Sequence, residues 1–184
     1  MTDVVIPESV SYIGDYSVFG NCYMLQQITL PDNLYYIGQQ MFVNCINLTQ
    51  INIPSLAQYI GSLAFASCGS LTEIMLPSGL LRIESGAFQG CTGLPSITIP
   101  DSVTTIGDWA FGGCESLTTM TILATTPPQL VFANAISEAT TTIYIPAGTL
   151  SAYQTATNWS NFADKFVEIG GGSEGPAEPD PGNP

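Results

Sequence analysis

Five cysteines stand at positions 22, 45, 68, 91 and 114, and every step between them is 23 residues. Phe19, Phe42, Phe65, Phe88 and Phe111 keep that step three places ahead of each cysteine, and Leu25, Leu48, Leu71, Leu94 and Leu117 keep it three places behind. Ile28, Ile51, Ile74, Ile97 and Met120 come next, followed by Leu30, Ile53, Leu76, Ile99 and Ile122. Pro7, Pro31, Pro54, Pro77 and Pro100 close the phrases, with one extra residue between Ile13 and Phe19 in the first unit. A register this strict has one physical solution: every copy takes the same conformation, and the copies stack.

Each copy can be read as a coil. In Gln27-Ile28-Thr29-Leu30 apolar and polar residues alternate, the period of a half-buried strand. Pro31 has no N–H to give to a ladder, so it ends the strand and turns the chain. A second apolar pair follows: Val10 and Ile13, Leu34 and Ile37, Leu80 and Ile83, Val103 and Ile106. The third unit departs, with Ala57 in the first column and Leu56 beside it. Gly14, Gly38, Gly61 and Gly107 mark a turn, but Glu84 holds that place in the fourth unit, so the turn does not demand a positive φ in every coil. A short turn or single helical turn then carries Phe and Cys inward. One coil alone buries too little apolar surface to offset the entropy of ordering it. Stacked coils cover each other's faces and share parallel ladders about 4.8 Å apart. The chain is therefore read as a solenoid of five coils over residues 1–123.

After Leu123 the repeat breaks at Ala124-Thr125-Thr126-Pro127-Pro128. Val131, Phe132 and Ala135 partly imitate the Phe segment, and Ile143-Tyr144-Ile145-Pro146 reads as a last strand. Thr149 is placed as a helix N-cap ahead of Leu150, Tyr153 and Ala156 at helical spacing, with Trp159, Phe162, Phe166 and Ile169 close behind. Residues 124–169 are read as a C-terminal cap of the same domain. Residues 170–184, made of Gly, Pro, Ser and acids, read as a disordered linker or tail. The chain opens on a strand-like phrase, Val4-Val5-Ile6-Pro7, with no signal peptide and no N-terminal cap. The expectation is a mature fragment whose first coil is covered by an upstream segment or by another chain.

Charge narrows the partners. Fifteen acids stand against Arg82 and Lys165, a net charge of −13, and only 9% of residues are charged. Such a surface repels phosphate backbones and anionic lipid, which argues against nucleic-acid binding and electrostatic membrane docking. No apolar run approaches the roughly 20 residues that span a bilayer, so no direct membrane insertion is expected. The uncharged surface must be Ser, Thr, Asn and Gln, which suits a β-rich chain.

The unit Leu-x-x-Ile-x-Ile-Pro-x-Ser-Val-x-x-Ile-Gly-x-x-Ala-Phe-x-x-Cys, repeated over roughly residues 4–123, resembles the BspA-like leucine-rich repeat family of bacterial and protist surface proteins. The resemblance implies a leucine-rich-repeat solenoid of the α/β class, β-rich. Its five stacked coils of about 23 residues would combine short parallel strands with turn or short-helix segments, plus the C-terminal cap. It also implies an extracellular or cell-surface setting and a protein partner, such as a host matrix protein or another cell-surface protein. Some members act as adhesins. No shared catalytic motif comes with it, and no cofactor.

The residues agree on chemistry. The chain has no histidine, so Ser-His-Asp and Cys-His arrangements and imidazole metal sites are unavailable. No Gly-x-x-x-x-Gly-Lys phosphate loop is present. Zinc needs ligands that converge, whereas each cysteine is alone in its coil. In-register parallel side chains also hold Cβ atoms too far apart for disulfides, so free buried thiols acting as small hydrophobes are expected. Glu84 and Asp108 could approach across adjacent coils as an acid/base pair, but a solvated turn is much the better explanation of them.

Two outward columns remain as candidate binding surface. Gln27, Gln50 and Glu73, with Thr29, Asn52 and Met75, belong to a flat polar strand face able to hydrogen-bond an extended polymer or a protein. Tyr12, Tyr36 and Tyr59, followed by Arg82, sit just before the second isoleucine column. Exposed tyrosine beside arginine is what protein interfaces favour. The competing explanations are a merely soluble β face and tyrosines that simply stabilise neighbouring strands. A structural spacer with no ligand is the alternative role, and a carbohydrate-binding module is the weaker third.

Overall fold

In the computed structural model, residues 2–170 are described, and the reading of residues 171–184 as a tail lies outside them. The first strands in chain order are β1 (Asp3–Val5), β2 (Gln27–Thr29), β3 (Tyr36–Ile37), β4 (Gln50–Ile51), β5 (Tyr59–Ile60) and β6 (Arg82–Ile83). They continue as β7 (Ser96–Ile99), β8 (Thr105–Ile106), β9 (Thr119–Ile122), β10 (Gln129–Leu130), β11 (Thr142–Pro146) and β12 (Phe166–Ile169). All pairings are parallel. The sequence expectation of a parallel solenoid holds, but the count differs: the chain makes about seven turns, because the ladder runs on through residues read as a cap. Ile143 pairs with Met120, and Phe166 with Ile143, so the cap sequence repeats the strand while changing the turn.

Two ladders stand on each coil. The second is continuous, in the order β3-β5-β6-β8-β10. The first is broken into β1-β2-β4 and β7-β9-β11-β12, and the fourth coil contributes no strand at residues 73–76. One coil earlier, the Asn52 side chain accepts a hydrogen bond from the Leu30 N–H and donates one to the Leu30 carbonyl, each 2.9 Å. It thereby ties the third coil back to the second in place of main-chain pairing beyond Ile51, on the side of β4 away from the gap.

Between the ladders lies the turn that carries Phe and Cys. The Gln40, Phe42 and Asn44 N–H groups reach carbonyls of the next coil at 2.8–2.9 Å, while the Met41, Val43 and Cys45 N–H groups close local turns. The repeat turns contain no helix. Left-handed backbone recurs twice per coil, at Ser17, Gln40, Leu63, Gly86 and Trp109 and again at Asn21, Asn44, Ser67, Gly90 and Gly113. The conserved-looking glycines Gly38, Gly61 and Gly107 are not among them. They are needed for space: a Cβ on Gly107 would lie 2.5 Å from the Ser85 backbone nitrogen of the coil before, and one on Gly61 would lie 2.8 Å from the Ile37 carbonyl.

The core is a set of columns. The Phe rings from Phe19 to Phe111 form one stack, with centroids 5.3–5.4 Å apart and planes within 8° of parallel. The cysteines are free, as expected, but they do more than fill space. The Cys45, Cys68, Cys91 and Cys114 thiols each donate to the carbonyl of the preceding coil's phenylalanine, at 3.1–3.3 Å. Burial pushes the Cys45 thiol up to about 11 and the Cys68 thiol higher still. The thiolate is the nucleophile, so Cys45 and Cys68 are protected twice, by access and by protonation, whereas Cys114, held down by the thiol of Cys91, is protected by burial alone. Only Cys22 is exposed. Iodoacetamide at pH 8 is therefore expected to modify one thiol in the folded protein and all five after unfolding without reductant. Three or one in the unfolded chain would reveal a disulfide.

At the C-terminal end, α1 (Leu150–Thr155) starts where the sequence places it, with Thr149 at its N-cap position, yet the threonine side chain makes no capping bond. The Thr149 hydroxyl donates backward to the Pro146 carbonyl, and the Glu168 carboxylate accepts the Leu150 N–H instead, at 3.0 Å. The expected inward role of Val131 and Phe132 is also corrected. Both are exposed, and Ala135 and Ile136 fill the core there, because the Phe111 N–H pairs with the Ala135 carbonyl in a longer turn. Trp159, Tyr153 and Phe162 are buried against one another. The Trp159 indole donates to the Pro128 carbonyl, at 2.6 Å, and the Tyr153 hydroxyl donates to the Ala124 carbonyl, at 2.7 Å.

Candidate functional site

The ten candidate residues fall on two different ladders. Gln27, Thr29, Gln50, Asn52, Glu73 and Met75 belong to the first, and together they line a single shallow groove of about 530 Å³. The groove lies where the first ladder stops. Its floor is Ile28, Ile51, Ile53 and Ile74. Ile51, Ile53 and Ile74 are 8–9% exposed, against 0–3% for Ile97 and Ile99, so the opened ladder leaves part of the core column in reach of solvent. Met75, 74% exposed, stands at the rim. Gln27 donates from Nε2 to Gln50 Oε1 at 3.3 Å, one amide ladder step along the wall. Glu73 supplies the groove's only charge.

Tyr36, Tyr59 and Arg82 line up on the second ladder, where Tyr36 pairs with Tyr59, Tyr59 with Arg82, and Arg82 with Thr105, while Tyr12 lies before its first strand and meets it through the Tyr36 ring. They do not form a uniform stack. Tyr12 and Tyr36 meet with centroids 6.4 Å apart, tilted by 53°. The Tyr36 hydroxyl donates to the Asp15 carboxylate, and this bond, with a second from Tyr12, holds the Asp15 carboxyl below the usual carboxylate range. Desolvation, then the bond to Asp15, pushes the Tyr36 hydroxyl well above its ordinary value. Arg82 is not a free cation. Its Nε lies 3.0 Å from Glu84 Oε1, so the strand's arginine is partly neutralised within its own coil. Glu84 accordingly pairs with Arg82, and no acid/base pair with Asp108 is recorded.

Among the described residues no group of His, Cys, Asp or Glu could hold a metal ion, and no helix is long and apolar enough to cross a membrane. The groove offers amides, one hydroxyl, one carboxylate and a thioether over an aliphatic floor. That set can hydrogen-bond and desolvate a ligand, but it contains no nucleophile with a base beside it. Sequence reasoning found the rim residues and missed the floor, because Ile51, Ile53 and Ile74 belong to the inward column everywhere else. Asn52, the only asparagine in its column, is no signal for the gap, since its amide bonds the coil before.

A stack of parallel coils with a leucine, isoleucine and phenylalanine core, strands on the coil and left-handed residues in the turns between, defines a leucine-rich-repeat solenoid. The model for the BspA type leucine rich repeat region matches six copies, over residues 1–118 and 58–156. The chain belongs to that family. No curated protein matches it. Among solved structures, a leucine-rich repeat protein of Treponema pallidum superposes with a TM-score of 0.64 at 22% identity, over 91% of this chain and 85% of that one. A leucine-rich repeat protein of Bacteroides ovatus gives 0.56 at 26% identity, over 78% of this chain and 47% of that one. A leucine rich cell surface protein of Faecalibacterium prausnitzii gives 0.57 at 27% identity, over 79% and 48%. The chain spans about half the length of the last two.

Proposed function

We propose that this chain is a non-catalytic binding module, presenting the groove of the first ladder to a protein partner outside the cell or at its surface. The observation that carries the reading is the groove itself: six outward-column residues converge where the first ladder is interrupted and an aliphatic floor becomes accessible. Family membership supports a protein-interaction role, and the surface setting rests on the Faecalibacterium neighbour's description. Adhesion to a matrix protein or another cell is the activity this arrangement serves. The tyrosine column is a second contact area, with Tyr12, Tyr16, Tyr35 and Tyr59 exposed in the first three coils. Exposed aromatic side chains concentrated in one part of a surface mark interaction sites more than spacers. Residues 124–169, with Trp159 at their centre, close the C-terminal end of the core.

The test is a pull-down against matrix proteins, cell-surface proteins and glycans. The double variant Met75→Ser, Gln50→Ala is expected to weaken capture at least tenfold while leaving the melting temperature within about 2 °C, since both side chains are exposed. A triple variant, Tyr12→Ser, Tyr36→Ser, Tyr59→Ser, separates the two ladders. If only that variant loses binding, the interface is the tyrosine column. If the unaltered chain captures nothing from any of the three panels, the spacer role replaces the binding one.

A further inference from the structure

Trp109 occupies a place in its coil that no other unit fills with an aromatic side chain. Ser17, Gln40, Leu63 and Gly86 precede it in the column. All five have left-handed backbone, with φ of 55° at Trp109. The coil imposes this conformation on serine, glutamine, leucine and glycine alike, so the backbone does not account for an indole here. The indole contributes little to the core, being 48% exposed. Its six-membered ring rests on Gly112, where a Cβ would lie 2.3 Å from Cε3, so the glycine clears the space the ring occupies. Beside the ring is a depression of about 490 Å³, bordered by Glu115, Asn134 and Glu138. Glu115 and Glu138 are both exposed.

The chemistry of this pocket is one-sided. It joins the aromatic group with the strongest cation attraction to two carboxylates, and its wall holds no cation. The chain cannot supply one. Its two basic side chains are engaged elsewhere, Arg82 with Glu84 and Lys165 with the Thr140 carbonyl at 2.7 Å. A cation that neutralises Glu115 and Glu138 must come from outside. We propose that the Trp109 pocket receives a basic side chain, lysine or arginine, of a protein partner, its charge lying over the indole and between the two carboxylates. This pocket lies in the turn of the fifth coil and shares no residue with the groove, so it stands or falls separately.

The experiment uses a fluorescently labelled peptide of four arginines spaced by glycines, a matched glutamine peptide, and a neutral glucose hexasaccharide. The arginine peptide is expected to bind saturably and to shift the tryptophan emission, which reports on Trp109 because Trp159 is buried. The glutamine peptide and the sugar are expected to do neither. Trp109→Leu, and separately the double variant Glu115→Gln, Glu138→Gln, should each weaken the arginine peptide about tenfold. A control pair at a distance, Glu8→Gln with Asp101→Asn, should weaken it less than twofold. Equal weakening by the control pair would assign the attraction to the overall negative charge and overturn the proposal. So would unchanged affinity in the glutamate double variant, whose exposed positions leave folding intact, or preferential binding of the hexasaccharide.

Discussion

Phe65→Ala is expected to lower the unfolding free energy by about 4 kcal/mol. The ring is fully buried and stacks on Phe42 and Phe88 at 5.4 and 5.3 Å, so alanine removes its own transfer energy and leaves two neighbouring rings facing a void. Relaxation is limited. The turn backbone on either side is tied to the next coil through the Phe65 N–H at 2.7 Å and to the coil after through the Phe88 N–H at 2.8 Å, so the coils cannot slide together to close the gap. In a solenoid, stability is carried by nearest-neighbour interfaces, and a central lesion weakens two of them. Chemical denaturation should show a lower midpoint, and a reduced slope would show that the two halves have begun to unfold separately. Phe65→Leu, which keeps much of the volume, should cost clearly less. A loss below about 1 kcal/mol for the alanine variant would mean that the stack is ornamental.

Trp159→Ala is expected to cost a similar 3–5 kcal/mol, but at one end. The indole is 1% exposed and packs edge-on against Tyr153 at 5.4 Å. Its loss also strips the Pro128 carbonyl of its donor in a buried place, a penalty beyond the cavity. The expected signature in amide exchange is therefore local: rapid exchange in α1 and β12, with the second ladder from β3 to β6 still protected. Trp159→Phe should recover packing without the hydrogen bond and lie between the two. If amides throughout the chain exchanged together in the alanine variant, the end segment would be part of the folding nucleus rather than a cover.

How far the sequence alone reaches is clear from particular columns. Ile28, Phe65, Cys68 and Leu71 are placed inward by periodicity and are buried in the structure, because inward positions answer to one rule, exclusion of water. The turn was less legible. Left-handed backbone falls on Leu63 and Gln40 and avoids Gly61, since inter-coil N–H groups dictate the conformation and glycine answers to crowding instead. The end of the first ladder after β4 was not legible either: Asn52 stands out in its column, but its amide bonds back to Leu30 of the second coil, away from the gap. The same holds for the thiols. Their spacing predicted free cysteines, while their bonds to the previous coil's phenylalanine carbonyl become visible only once the coils are stacked. Candidate surface residues were the least determined, since outward positions tolerate most polar side chains.

The gap in the first ladder also makes the molecule mechanically uneven. A rod pulled by its two ends is loaded along its length. Every interface between the second and sixth coils carries the second ladder, yet those on either side of the fourth coil lack the first. Force along the axis concentrates where fewest bonds share it, so the fourth coil is the point that yields first, opening on the groove side and pivoting on the β5-β6-β8 side. A pulling experiment should record two blocks, the coils before residue 73 and those after residue 96, giving way in separate steps. The groove beside the fourth coil, shallow at rest, would then widen under tension.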